Sequence, residues 1–230
     1  MWCIVKLKLV IKLTGKVFSK DNSLLIKEIA EKIKILANDH RVVIVTGGGP
    51  IARQYISIAK DLNASEAWCD LLGIDISRIN AKLLIAALND IAYTYVPENI
   101  DEFLRAWSTG KVVVLGGLQP GQSTTAVAAI IAEVINADLL IYASDVDGIY
   151  DKDPKKFPNA KKLDRVSVNE LRKILEPRIE AGTYELIDPL ALLIIERCKI
   201  RSFVISAFKP NLLEKLVKGE KVGTEIIPSS

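Results

Sequence analysis

The sequence is poor in the residues that usually do acid–base and redox chemistry. It holds one histidine, His40, and three cysteines, Cys3, Cys69 and Cys198, over 230 residues. A single imidazole makes a Ser-His-Asp or Cys-His mechanism a poor fit. His40 stands where a helix should end, with no other metal-ligating side chain beside it, and reads as structural or solvated. The cysteines are odd in number and scattered. They suggest neither a disulfide framework nor a metal-ligand pair, which favours a reducing, cytoplasmic setting. Charge of one sign is lacking too, because a net charge of +3 is too mild to argue for nucleic-acid binding. No apolar run reaches the ~18 residues that a membrane span needs. The opening MWCIVKLKLVIKL is interrupted by Lys6, Lys8 and Lys12 and lacks a small-residue cleavage site, so it reads as a strand and not as a signal peptide.

What is present is apolar bulk in a regular rhythm. Hydrophobic residues make up 50% and charged residues 26% of the chain, enough to bury a substantial core. Leu25, Ile29, Ile33 and Leu36 mark a helix over residues 23–37. Buried strands read at 3–13, 41–46, 92–96, 112–115, 138–143 and 200–206, with a short one at 224–227. Helices fall between them at 51–62, 66–88, 99–107, 124–135, 167–175, 188–198 and 210–218, with Gly73 as an expected kink or break. Asn99 with Glu102, and Ser167 with Glu170, have capping-box spacing. Strands alternate with helices throughout, without repeat or linker, so an α/β fold with a mainly parallel sheet is expected.

Four turns that follow strands carry the chemistry. LTGK places Gly15 between Lys12 and Lys16, which is what a polyphosphate needs: backbone N–H groups and mobile cations. TGGGP runs from a strand into a helix opened by Pro50, with Arg53 one turn inside and able to reach a phosphate. GGLQPGQST is a second strand–glycine–helix junction, where Ser123 or Thr124 can cap and an anion can bind. SDVDGIYDKDP brings Asp145, Asp147, Asp153 and Tyr150 to a strand end. It superficially has the D-x-D-G of a calcium loop but lacks the closing glutamate. In an open parallel sheet these loops gather along one edge, where ligands bind. Asp70 stands among Trp68, Leu71 and Leu72, and an acid there calls for a partner, a ligand hydroxyl or an arginine such as Arg78.

The order and wording of these turns resemble the amino acid kinase family, and within it the archaeal-type uridylate kinases, over nearly the whole chain. TGGGPIARQYI, DLLGIDISRINA, GGLQPGQSTTAVAA and AGTYELIDPLA carry the resemblance. It implies one domain over residues 1–230 with a three-layer αβα sandwich and a sheet of about eight strands. The amino-terminal half would hold the phosphate acceptor, UMP, and the carboxyl-terminal half ATP. It implies Mg²⁺ with the ATP and a homohexamer built from dimers, and no metal-ligating residue of the chain is singled out. By the same resemblance Gly48 would touch UMP and Asp70 its ribose hydroxyls. Leu118, Gln119, Pro120, Gly121, Gln122, Ser123 and Thr124 would wrap uridine and its phosphate. Lys12, Leu13, Thr14, Gly15, Lys16, Gly49 and Arg53 would face the ATP phosphates, with Lys12 and Lys16 catalytic. Ser144, Asp145, Tyr150 and Asp153 would line the adenosine side. Asp145 departs from the asparagine expected in the nearest relatives. Other members of the family often carry aspartate there to position active-site lysines, so Asp145 is a candidate to orient Lys12 and Lys16.

The chemistry of such a reaction suits this composition. A phosphate acceptor is already ionised near neutral pH, so alignment and charge neutralisation replace a general base. Two other readings stand beside it. One is a family member acting on a carboxylate, carbamate or isopentenyl phosphate, although the histidine usual after the triple glycine in the last group is replaced here by PIARQYI. The other is a nucleotide-binding protein without turnover.

Overall fold

The computed structural model describes residues 6–152, 157–179 and 187–229. Its elements are β1 (Lys8–Leu13), α1 (Ser23–Asp39), β2 (Arg41–Thr46), α2 (Gly49–Asp61), α3 (Glu66–Leu88), α4 (Ile100–Ser108), β3 (Val113–Leu115), α5 (Thr124–Val134) and β4 (Leu139–Ser144). The second half adds β5 (Ile149–Tyr150), β6 (Lys162–Leu163), β7 (Arg165–Ser167), α6 (Val168–Ile179), α7 (Pro189–Cys198), β8 (Ser202–Ser206), α8 (Asn211–Val217) and β9 (Thr224–Ile227).

Seven strands form one sheet in the order β3-β2-β1-β4-β8-β9-β7. The first five run parallel, β9 pairs antiparallel to β8, and β7 runs parallel to β9. Strands covered on both faces need near-continuous apolar runs, and RVVIVT and LLIYA supply them. One face packs on α4, α5, α6 and α7, through Val10, Val43, Leu115, Ala128, Leu171 and Ile195. The other packs on α1, α3 and α8, through Ile11, Ile44, Ile33, Leu84 and Leu213. The expected three-layer αβα sandwich is therefore present. α2 lies outside these layers, against α3: a Cβ on Gly48 would come within 2.5 Å of Ala52 Cβ and 3.2 Å of Gly73 O.

Several expectations are modified. β1 begins at Lys8, and residues 1–5 lie outside the described part. The strand expected at 92–96 shrinks to one bridge, Ala92 to Val112, so an eighth strand is only a rung at the edge. A 3-10 turn over Asn89–Ile91 and Pro97 leave little room for it, and Tyr95 is 73% exposed. Gly73 does not break α3, which is continuous over 23 residues. One interior glycine costs a helix only about 1 kcal/mol. The hairpin of β5 and β6 and the strand β7 fall where the sequence reads as loop. The caps agree: Asn99 Oδ1 accepts from Glu102 N–H at 2.9 Å, and Ser167 Oγ accepts from Glu170 N–H at 3.2 Å. His40 is structural, its Nδ1 accepting the Leu7 N–H at 3.3 Å.

Candidate active site

The chain lays down β1, β2 and β3 outward in one direction and then returns to place β4 on the other side of β1. Ligand crevices form at such a reversal, beyond the carboxyl ends of the strands. Thr14 N–H donates to Ala143 O at 2.9 Å, and Gly47 N–H to Leu13 O at 3.0 Å, so the ends of β1, β2 and β4 are tied level.

The turn after β1 is a 3-10 turn over Gly15–Val17, with Thr14 Oγ1 accepting from Lys16 N–H at 3.4 Å. A Cβ on Gly15 would lie 2.2 Å from Gly49 N, and one on Gly49, whose φ is +67°, would lie 2.2 Å from Gly15 O. The two loops thus meet backbone to backbone. Lys16 forms an ion pair with Asp145 across the reversal, and Ser144 Oγ donates to the same carboxylate at 3.2 Å. Lys12 is half-buried, level with Val45 on β2 and Tyr142 on β4. It lies two residues beyond Val10, and so on the sheet face that α5 covers. Tyr142 on that face is buried, and its hydroxyl donates to Thr125 O at 3.4 Å. Burial, reinforced by the Asp188 carboxylate, pushes its phenol well above the ordinary range.

The triple glycine leads into α2, with Pro50 in the first turn. Gly48 brings no capping side chain, and Arg53 lies exposed one turn inside the helix. The second junction is finished differently. Ser123 caps α5, its Oγ accepting from Thr125 N–H at 3.2 Å and Ala126 N–H at 3.1 Å. The Ser123 hydroxyl also bonds the Asp188 carboxylate, which accepts from Thr125 Oγ1 at 3.1 Å and caps α7 through Ala191 N–H at 2.7 Å. Between strand and cap, Leu118 is half-buried while Gln119 and Pro120 are exposed, and Gln122 N–H closes a turn on Gln119 O at 3.4 Å. Gly121 has φ +77° and donates its N–H to Asp70 Oδ2 at 2.8 Å. Among the described residues the partner of Asp70 is thus a loop N–H, while Arg78 bonds Gly117, Leu118 and Glu98. Asp70 is exposed, as are Trp68 and Leu71, and it bonds the loop that the family resemblance pairs with it.

On the far side of Asp145, Tyr150 donates its hydroxyl to Asp147 Oδ1 at 2.7 Å, and Lys162 stands 3.6 Å from the same carboxylate. Burial pushes the Asp147 carboxyl up, but the Tyr150 hydrogen bond and the positive charges of Lys162 and Lys209 outweigh it and hold it below the usual range. The hydrogen bond to Asp147, with burial, raises the Tyr150 phenol. Asp153 lies outside the described residues, as do residues 181–186 of the AGTYELIDPLA motif.

The structure therefore brings together residues 12–16, 47–49 and 144–145, and separately Asp70 with the 118–124 loop. The sequence reading missed Ser77, Asn80 and Asp188. Ser77 Oγ accepts from Gly117 N–H at 2.7 Å, and Asn80 Nδ2 donates to Gly47 O at 2.7 Å. For Ser77 and Asn80 the available signal was a polar side chain on the inner stripe of a largely apolar helix, because buried polar groups must find partners.

Comparison with known proteins agrees with this geometry. The amino acid kinase family profile matches residues 8–206. A uridylate kinase from Sulfolobus acidocaldarius is 47% identical over 228 residues, covering 96% of this chain and 100% of that protein. One from Metallosphaera sedula is 48% identical over 225 residues, with the same coverage of both chains. The crystal structure of uridylate kinase from Archaeoglobus fulgidus superposes with a TM-score of 0.86 at 44% identity, covering 95% of this chain and 99% of that one. With the sheet order, the paired glycine loops and a family match across most of its length, this chain belongs to the amino acid kinase family.

Proposed function

We propose that the chain is a UMP kinase, which moves the γ-phosphoryl group of ATP to a phosphate oxygen of UMP and yields ADP and UDP. The observation that carries the reading is the backbone contact of Gly15 with Gly49, which sets a lysine-flanked turn directly against a helix N-terminus without a capping side chain. Two phosphate groups meeting in line need such a place. The relatives that align over 96% of the chain bear the name uridylate kinase, which supports uridylate as the acceptor.

In this reading Lys12 and Lys16 are the catalytic cations. An oxygen of the UMP phosphate attacks the γ-phosphorus as the bond to the ADP oxygen breaks. The acceptor is already ionised, so no proton must be removed. Lys12 neutralises charge on the transferring group, and Lys16, held by Asp145, flanks the donor phosphates. The Lys16–Asp145 pair favours lysine positioning as the role of Asp145 over a nucleoside contact. Leu13, Thr14, Gly15, Gly49 and Arg53 complete the phosphate side, and Ser144, Tyr150 and Asp153 the adenosine side. Gly48, Asp70 and residues 118–124 take UMP, with Asp70 already at the loop through Gly121.

Mg²⁺ would arrive with ATP and neutralise its β- and γ-phosphates. Among the described residues no group of three or more His, Cys, Asp or Glu gathers. Further parts of the proposal are a single domain with an acceptor-binding first half and an ATP-binding second half, a cytoplasmic site of action and a homohexamer of dimers. For the last, Ile51, Tyr55 and Ile58 recur at helical spacing along α2, with Leu62 just past its end, and are 42, 50, 50 and 75% exposed. No helix of the described residues is long and apolar enough to cross a membrane.

The test is ADP release from ATP and Mg²⁺ at ambient and high temperature, with UMP, CMP, dUMP, AMP, carbamate, glutamate, acetylglutamate, aspartate and isopentenyl phosphate offered singly. Turnover fastest with UMP is expected. Turnover with a carboxylate or isopentenyl phosphate and none with UMP would overturn the acceptor assignment.

A further inference from the structure

Helix α3 buries an apolar stripe, Ile74, Ala81, Leu84 and Leu88, against the sheet side of the molecule. Two polar residues interrupt it: Ser77 is 0% exposed and Asn80 2%. Asn80 Nδ2 donates to Gly47 O at 2.7 Å and Gly48 O at 3.3 Å. Both partners can only accept, which fixes which end of the amide faces them. Ser77 and Arg78 act on the other glycine loop. Ser77 Oγ takes the Gly117 N–H, and Arg78 reaches Gly117 O from Nε at 3.2 Å and Leu118 O from Nη2 at 3.4 Å. Arg78 is anchored from behind by Glu98, whose Oε2 lies 2.9 Å from Nη1. A Cβ on Gly116 would fall 2.7 Å from Arg78 N, so the helix backbone lies directly on that loop.

The direction of these bonds matters. In a trans peptide the C=O and the following N–H point in opposite directions. By drawing the carbonyls of Gly47 and Gly48 towards α3, Asn80 turns the N–H groups of Gly48 and Gly49 the other way. These peptide planes lie where Gly47 O and Gly49 N both come against the donor turn, at 2.5 and 2.2 Å from a Cβ on Gly15. Arg78 instead fixes the root of the 118–124 loop, whose far part Asp70 holds through Gly121.

We propose that this one turn of α3 is the positioning unit of the active site, with two separable tasks. Asn80 fixes the peptide planes of the triple-glycine loop, and with them the N–H groups it offers to the phosphoryl group in flight. Arg78 holds the 118–124 loop in the shape that receives the UMP acceptor. The inference rests on the UMP kinase reading above. It assigns a transfer effect to one residue and a binding effect to its near neighbour, a division that general loss of packing would not produce.

The experiment measures kcat, both KM values and the melting temperature of the wild type, Asn80→Ala and Arg78→Gln, with calorimetric titration of UMP. Asn80→Ala is expected to lower kcat about tenfold or more with KM for UMP within about threefold of wild type, a loss confined to the transition state. Arg78→Gln is expected to raise KM for UMP about tenfold, with kcat and KM for ATP within about threefold and calorimetric affinity for UMP falling by the same factor. Equal losses of kcat in both variants, tracking the folded fraction, would overturn the division, as would two variants indistinguishable from wild type. If Asn80→Ala does not fold, Asn80→Ser is measured in the same way, and a wild-type kcat in it removes the role of Asn80. A wild type inert towards UMP is a failure of the functional reading, visible before any variant is compared. An active wild type without the split is a failure of this inference alone.

Discussion

The junctions after β2 and after β3 are made of the same parts, a buried strand, a run of glycines and a helix, yet they end differently. At the first, Gly48 offers α2 no capping side chain, and the loop backbone is pressed against Gly15. At the second, Ser123 takes two first-turn N–H groups of α5, and the Asp188 carboxylate closes on Ser123 and Thr125. A carboxylate at a helix N-terminus already answers the positive end of its dipole. The pattern strand–glycine–helix is therefore not by itself an anion site. What decides is whether a side chain of the protein has occupied the N–H groups first. The sequence treats both helix ends as equal sources of positive potential, whereas among the described residues no side chain caps the α2 end, and the 118–124 loop is left to work through its own backbone and Asp70.

If the open junction and its lysines do the electrostatic work, Lys12→Ala should give the largest effect. A preorganised donor of this kind contributes ~3–4 kcal/mol in the transition state, so turnover should drop by about a hundredfold or more, with the melting temperature nearly unchanged. Near-normal turnover would move the work to the closed junction. Next comes Gly49→Ala. The left-handed backbone costs ~1–2 kcal/mol and the collision with Gly15 O about as much again, so denaturant unfolding should show a loss of about 3 kcal/mol. Gly121→Ala separates the two junctions. Its φ is also positive, but a Cβ there meets nothing within 4 Å, so only the backbone cost of ~1–2 kcal/mol should appear. Equal losses in the two glycine variants would contradict the contrast in packing. The smallest effect belongs to Ser123→Ala, which removes the α5 cap at a cost of ~1 kcal/mol in stability. Its kcat should stay close to wild type, and a turnover loss as large as that of Lys12→Ala would show that the closed junction is the catalytic one.

The sequence was most legible where information is local. The start of α7 at Asp188-Pro189, the Asn99–Glu102 box and the cap at Ser123 each follow from residues within one turn of one another. It was least legible where a residue answers to something far along the chain. Asn80 bonds a loop more than 30 residues earlier, and Ser123 bonds Asp188 more than 60 residues later. Periodicity marks Asn80 as facing inward, but in neither case does local spacing name the partner. The strand expected at 92–96 failed because β-forming residues at a sheet edge gain little without a second neighbour, and only the Ala92–Val112 bridge forms. The apolar residues around Asp70 in sequence suggest a ligand hydroxyl or Arg78 as its partner, yet Trp68 and Leu71 are themselves exposed and Asp70 bonds Gly121 N–H, 51 residues later.

The sequence by itself determined the alternation of strand and helix, the apolar layers and the four phosphate-suited turns. These depend on side-chain periodicity and on glycine, proline and capping residues, whose effects act over a few positions. Tertiary structure alone decided that β4 lies beside β1, so that Asp145 meets Lys16, and that Gly15 touches Gly49. It also decided that one helix N-terminus stays open while the other is closed. Those outcomes depend on strand order and on which distant polar group reaches a buried donor or acceptor first, and neither is written in local spacing.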